Sequence, residues 1–168
     1  WKMAKIIVKD IKEEDFVNYK KPSMFLAFPY CDFKCDRENG SPICQNSSLV
    51  KEKDIEVDMD QIIQRYLDNP ITKAMVFGGL EPFDSYKDML ELVSRLRAVS
   101  DDEVVIYTGY KEAEIPLQIA ELKALGNIII KFGRFIPDQD AHFDPVLGVN
   151  LASSNQYAKL YKWKFAFI

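Results

Sequence analysis

Apolar positions along the chain alternate between two periods. Residues 5–9 carry a short β-branched run, Ile6, Ile7 and Val8, and residues 23–28 form a second apolar run that Pro29 stops. From Asp58 the spacing changes. Met59, Ile62, Ile63, Tyr66 and Leu67 recur at helical intervals, with Asp58 placed to cap the start and Asn69-Pro70 to end it. Residues 73–77 read as a buried strand running into Gly78-Gly79. Asp84-Ser85 is then expected to cap an amphipathic helix built on Met89, Leu90, Leu92, Val93 and Leu96. Another strand spans 103–108, a helix spans 115–125 and is closed by Gly126, and a strand follows at 127–131.

Strands separated by single helices imply right-handed βαβ crossovers and a parallel sheet, and near-continuous apolar strands fit a sheet covered on both faces. The expected fold class is α/β, with residues 1–168 as one domain. Residues 136–157 are the least regular and read as a lid or a return crossover. Residues 159–168 read as a last strand, with a helix as the other option. In such sheets ligands bind beyond the carboxyl ends of the strands. Four segments therefore converge on one rim: the loop at 30–46, Gly78-Gly79, Thr108-Gly109-Tyr110 and Phe132-Gly133-Arg134.

Composition narrows the partners. A net charge of −4 with no basic run speaks against nucleic acid, whose phosphates need neutralising, and no segment has the length and apolarity of a membrane span. The three cysteines, Cys31, Cys35 and Cys44, all fall in one polar loop. Soft thiolate ligands select zinc, copper(I) or iron–sulfur iron, and a set of three leaves one position on the metal or on one corner of a cubane for another group. The competing reading is a disulfide with one thiol left over. The odd count and the lack of a recognisable signal peptide weigh against a secreted disulfide scaffold and place the chain, as an expectation, in the cytoplasm.

Taken in order, these blocks resemble the radical S-adenosylmethionine family, in particular the short activating proteins of anaerobic ribonucleotide reductase with their 4Fe–4S single-cluster domain. Cys31-x3-Cys35 matches the opening of the family's cysteine loop, and Cys44-Gln45-Asn46 resembles its close. Phe77-Gly78-Gly79-Leu80-Glu81-Pro82 is similar to the family's Gly-Gly-Glu-Pro segment, and Tyr107 to Tyr110, Gly133 to Phe135 and Ser153 to Gln156 resemble later blocks. The spacing departs from the family at Cys35-x8-Cys44, where relatives have two intervening residues. Leu80 stands in place of a glycine, Ile43 in place of an aromatic, and Phe132 where many relatives place Asp. Asn39-Gly40 and Ser41-Pro42 supply turn chemistry to bring the long loop back.

The resemblance implies an open, partial β/α barrel with a mostly parallel sheet. It implies a [4Fe–4S] cluster on Cys31, Cys35 and Cys44, and S-adenosylmethionine held at Gly78, Gly79, Glu81 and Thr108 with Ile43 over the adenine. Glu81 would accept from the methionine ammonium, or act only as a helix cap. Thr108 would offer its hydroxyl to ribose or carboxylate, or be an ordinary strand residue. Arg134 reads first as a solvated surface arginine, Ser153 to Gln156 as a turn and the single histidine, His142, as a loop residue. Phe25, Phe28, Phe77, Tyr107 and Phe135 read as core. The implied activity is that of a radical-generating, activating-type oxidoreductase. Its implied partners are a glycyl-radical enzyme and a low-potential donor such as flavodoxin or ferredoxin. The alternative is a metal-binding barrel module, iron–sulfur or zinc, acting in binding or electron transfer without cleaving a cofactor.

Overall fold

A computed structural model describes residues 4–43 and 47–162. In chain order the elements are β1 (Lys5–Val8), β2 (Asp10–Asp15), β3 (Ser23–Phe28), α1 (Lys34–Asn39), β4 (Ile55–Asp58), α2 (Met59–Asp68), β5 (Ala74–Gly79), α3 (Tyr86–Arg97) and β6 (Glu103–Tyr107). They continue with α4 (Pro116–Leu125), β7 (Ile128–Phe132), β8 (His142–Asp144), β9 (Val149–Leu151) and β10 (Tyr157–Tyr161). The protein is mixed α/β with a mostly parallel central sheet of six strands in the order β10-β7-β6-β5-β3-β2. β3, β5, β6 and β7 are parallel, and antiparallel β2 and β10 close the two edges.

Each crossover lands on the adjacent strand, so right-handed connections place α2, α3 and α4 on one face of the sheet. Packing agrees: Ile62 and Tyr66 of α2, Leu92 and Leu96 of α3 and Leu122 of α4 share a core with Met24, Phe28, Phe77, Ile106, Ile130 and Phe132. The residues between these along the strands point the other way. Val76, Val105 and Ile129 meet Tyr19, Leu147 and Leu151. The irregular stretch thus supplies the β8–β9 hairpin, which covers part of the second face. Buried Asp144 holds that hairpin, one oxygen accepting from Val146 N and Leu147 N at 2.9 and 3.0 Å and the other from Ala158 N at 3.1 Å.

Besides the β8–β9 hairpin, two strands and one helix were not expected from the sequence. β2 reads Asp-Ile-Lys-Glu-Glu-Asp and carries no apolar alternation because it is an edge strand. β4 gains its structure from pairing with β1, and α1 is Cys35 among five polar or charged residues, ended by Gly40 at φ 73°. Asp58 caps α2 as expected, accepting from Asp60 N and Gln61 N. The expected Asp84-Ser85 cap of α3 is not formed. A 3-10 turn, Pro82–Ser85, precedes the helix and is capped by Glu81, while Asp84 reaches across to the cysteine loop. The last strand among the described residues is β10, and residues 163–168 lie outside them. No helix among the described residues is long and apolar enough to cross a membrane.

Gly79 shows how closely two strands approach at the rim. Its φ is +84°, and a Cβ there would lie 2.8 Å from Ala27 Cα and from Phe28 N, both backbone atoms that cannot swing aside. Gly79→Ala is expected to cost about 2–5 kcal/mol through the strained φ and the forced separation of β3 from β5. Urea unfolding checks this, and an unchanged midpoint would contradict it.

Candidate metal and cofactor site

The segment after β5 runs alongside the segment that leads to the first cysteine. Leu80 N donates to Phe28 O at 3.2 Å and Glu81 N to Tyr30 O at 2.7 Å, extending the β3–β5 pairing past the sheet. Phe33 then takes a left-handed conformation, φ 55°, and its N–H donates to Cys31 Sγ at 3.2 Å. α1 starts immediately, with Cys35 in its first turn. Both thiols consequently line one cleft of ≈ 450 Å³, together with Gly79, Glu81, Thr108 and Lys131. A Cβ on Gly109 would lie 3.6 Å from Glu81 Oε1 and 3.7 Å from Cys35 Sγ, so the thiol and the carboxylate both border this glycine.

Burial pushes the Cys31 thiol up to about 11, with Glu81 and Asp84 adding to the shift and the Phe33 N–H and Lys34 opposing it. Cys31, Asp32 and Asp84 also bring their ligand atoms within 4.8 Å of one another. Cys44 lies outside the described residues. The described donors fit an iron–sulfur cluster in kind: two thiols, neither in a disulfide, open onto a common cavity at the sheet's carboxyl rim.

Glu81 is the hub of the polar network, and only 2 % of it is exposed. Its Oε1 accepts from Gly109 N at 2.9 Å and Lys34 Nζ at 3.2 Å, and its Oε2 from Thr108 Oγ1 at 2.8 Å and Phe83 N at 3.2 Å. Glu81 therefore caps the turn at Pro82–Ser85 and also faces the cleft. Thr108 is more than a strand residue, since its hydroxyl donates to Glu81 and accepts from Tyr110 N. Tyr110 in turn donates to Asp84 at 2.6 Å, and Asp84 accepts from Asp32 N at 3.1 Å, tying the loop after β6 to the cysteine loop.

Lys34, on α1, is 3 % exposed. Its ammonium lies 3.2 Å from both Glu81 Oε1 and Asp32 Oδ1 and 3.9 Å from the centre of the Tyr110 ring. Desolvation works against this charge, but Glu81, Asp84, Cys31 and Asp32 together outweigh it and hold the lysine protonated. A second lysine lies across the cleft on β7. Burial pushes Lys131 down to about 8 despite the opposing pull of Glu81 and Cys35, and its Nζ donates to Gly133 O at 3.1 Å.

Because the folded value of Lys131 is depressed, the unfolded chain binds more protons between pH 8 and 10.5, and this residue makes stability rise with pH across that window. Lys131→Met is expected to remove that rise. Parallel denaturation curves for wild type and variant at pH 7, 9 and 10.5 check it; an unchanged pH slope would contradict it.

Other expected residues are placed differently. Arg134 is not a solvated surface arginine. It is buried and donates to Gly109 O at 3.1 Å and, in bidentate fashion, to Glu114 at 2.6 and 2.8 Å, which holds Glu114 down near 2. Ile43 is not part of the cleft lining; its N–H donates to Asp36 Oδ1 at 2.8 Å. Ser153 to Gln156 form a turn whose Asn155 and Gln156 side chains donate to Arg134 O and Gly133 O, steadying the loop after β7. His142 belongs to β8 rather than to a loop. Phe28 and Phe77 are core, Phe25 and Tyr107 pack against the second core and also line the cleft, and Phe135 lines the cleft.

Lys34 and Lys131 were missed as site residues. Lys131 carried a signal, being the one charge inside the run Ile-Ile-Ile-Lys-Phe. Lys34 carried none, because its neighbours are as polar as any solvated loop.

A family model described as the 4Fe–4S single cluster domain matches residues 22–157, a span reaching from β3 to β10. The chain belongs to this 4Fe–4S single cluster domain family, and the family's description supports an iron–sulfur cluster as its prosthetic group. No curated protein matches the chain.

Proposed function

We propose that the protein is a radical S-adenosylmethionine enzyme of the activating type, built on an open, partial β/α barrel. The observation that carries this reading is the sharing of one cleft by Cys31, Cys35, the close-packed Gly79 and the buried carboxylate of Glu81. Cys31, Cys35 and Cys44 would hold the [4Fe–4S] cluster, and S-adenosylmethionine would lie along Gly78 and Gly79. When bound, the cluster would supply low-potential one-electron chemistry for reductive cleavage of the sulfonium of S-adenosylmethionine. The protein's own part is binding, orientation and exclusion of water.

Glu81 would take the ligand ammonium in a charge-assisted hydrogen bond, with Gly109 N, Phe83 N and Thr108 fixing the carboxylate's orientation. Thr108 Oγ1 donates to Glu81, so that hydroxyl serves the carboxylate first and the ligand through it. A glycyl-radical enzyme as the substrate and flavodoxin or ferredoxin as the donor in a cytoplasmic setting complete the proposal, on the strength of the sequence blocks.

A second reading, a metal-binding module that does not cleave a cofactor, is favoured by one observation: Glu81 already receives four hydrogen bonds from the protein itself. Anaerobic reconstitution followed by S-adenosylmethionine and a strong reductant separates the two. Formation of 5′-deoxyadenosine is expected. Iron bound without it would overturn the enzyme reading, and zinc without iron would favour the module.

A further inference from the structure

Glu81 has two carboxylate oxygens and four donors on them, so an incoming ammonium has to displace one. Three of the four are held in place. Gly109 N and Phe83 N are backbone groups, and Thr108 sits at the end of β6 with its oxygen also bonded to Tyr110 N. The fourth, Lys34, stands on a four-carbon stem with rotatable bonds. It is also the one donor of the four with a second carboxylate in reach. Asp32 Oδ1 is 3.2 Å from the same ammonium, and the Asp32 side chain is 40 % exposed, so it opens a route toward water.

We propose that Lys34 is a built-in competitor that sets the affinity of the cleft for amino-bearing ligands: its ammonium occupies the ligand-ammonium position on Glu81 and exchanges to Asp32 when an amino-bearing ligand enters. The proposal rests on the reading that Glu81 receives the ligand's ammonium. Exchange of one cation for another leaves the buried carboxylate compensated throughout, which avoids the cost of an unpaired interior charge. A ligand without an ammonium cannot make the exchange and meets a site still held by Lys34. The neighbouring Tyr110 ring, 3.9 Å from Nζ, holds Lys34 in the occupied position by its negative face.

The test uses anaerobically reconstituted protein of matched iron content and calorimetric titration with S-adenosylmethionine and with 5′-methylthioadenosine, which has neither ammonium nor carboxylate. Lys34→Met is expected to bind S-adenosylmethionine about tenfold more tightly, as a competing charge-assisted bond is removed. Lys34→Arg, which keeps a cation at the position and guards against a folding failure of the first variant, is expected to bind it no more tightly than wild type. Asp32→Asn, which removes the receiving carboxylate, is expected to weaken it. 5′-Methylthioadenosine should bind all four proteins alike. Equal or weaker S-adenosylmethionine binding by Lys34→Met, with wild type binding normally, would overturn the exchange alone. Failure of the iron-loaded wild type to bind S-adenosylmethionine would overturn the Glu81 reading and the exchange with it.

Discussion

Glu81→Ala is expected to lower stability by about 3–5 kcal/mol and to abolish binding of S-adenosylmethionine. The stability loss follows from what the carboxylate leaves behind. Lys34, nearly fully buried, would keep the half-exposed Asp32 as its direct ion-pair partner with Asp84 acting from further away, and Thr108 Oγ1, Gly109 N and Phe83 N would each lose an acceptor. The turn at Pro82–Ser85 would lose its cap at the same time. Glu81→Gln keeps the shape and two acceptor lone pairs but no charge, and is expected to fall between wild type and alanine. Urea unfolding together with ligand titration checks both variants. A Glu81→Ala protein as stable as wild type would show that the network contributes no net stability, and one that still binds S-adenosylmethionine at wild-type affinity would remove Glu81 from the ligand site.

Cys35→Ser has the opposite profile. Its sulfur faces the cleft beside Gly109, and no hydrogen bond of the fold depends on it among the described contacts, so stability of the metal-free protein is expected to change by less than about 1 kcal/mol. Iron content after reconstitution is expected to fall from about four per chain to below about one, because a serine oxygen is a poor substitute for a thiolate toward iron–sulfur iron. Iron and sulfide analysis checks it, with Cys31→Ser as the parallel case. Full retention of iron in both variants would exclude these two thiols as cluster ligands. The contrast between Glu81, which supports both fold and site, and Cys35, which supports only the site, follows from the number of protein donors each one satisfies.

Much of the sheet was legible because its strands are buried on both faces. Runs such as Met24 to Phe28, Ala74 to Phe77 and Ile128 to Ile130 have no polar alternation to obscure them. The helices α2, α3 and α4 were legible for the complementary reason, each burying one stripe against those strands. Illegible elements owe their structure to partners rather than to their own pattern: β4 to β1, α1 to the left-handed turn at Phe33, and the β8–β9 hairpin to the carboxylate of Asp144.

The site followed the same division. Glu81, Thr108, Gly79 and two of the thiols could be placed on one rim from strand ends alone. Lys34 and the burial of Arg134 could not, because a charged side chain is buried only when a specific counter-charge meets it, and that pairing spans 47 residues for Lys34–Glu81 and 20 for Arg134–Glu114. The failed Asp84-Ser85 cap has a similar origin, since Asp84 satisfies Asp32 N and Tyr110 instead of the helix that follows it.

The most direct measurement is the electron paramagnetic resonance spectrum of the anaerobically reconstituted, reduced protein, recorded without and with S-adenosylmethionine. A cluster held by three thiols beside Glu81 predicts a reduced [4Fe–4S] signal whose g values shift when S-adenosylmethionine is added, with the shift abolished in Glu81→Ala. A cluster signal indifferent to S-adenosylmethionine, in protein carrying its full complement of iron, would contradict the assignment of this cleft.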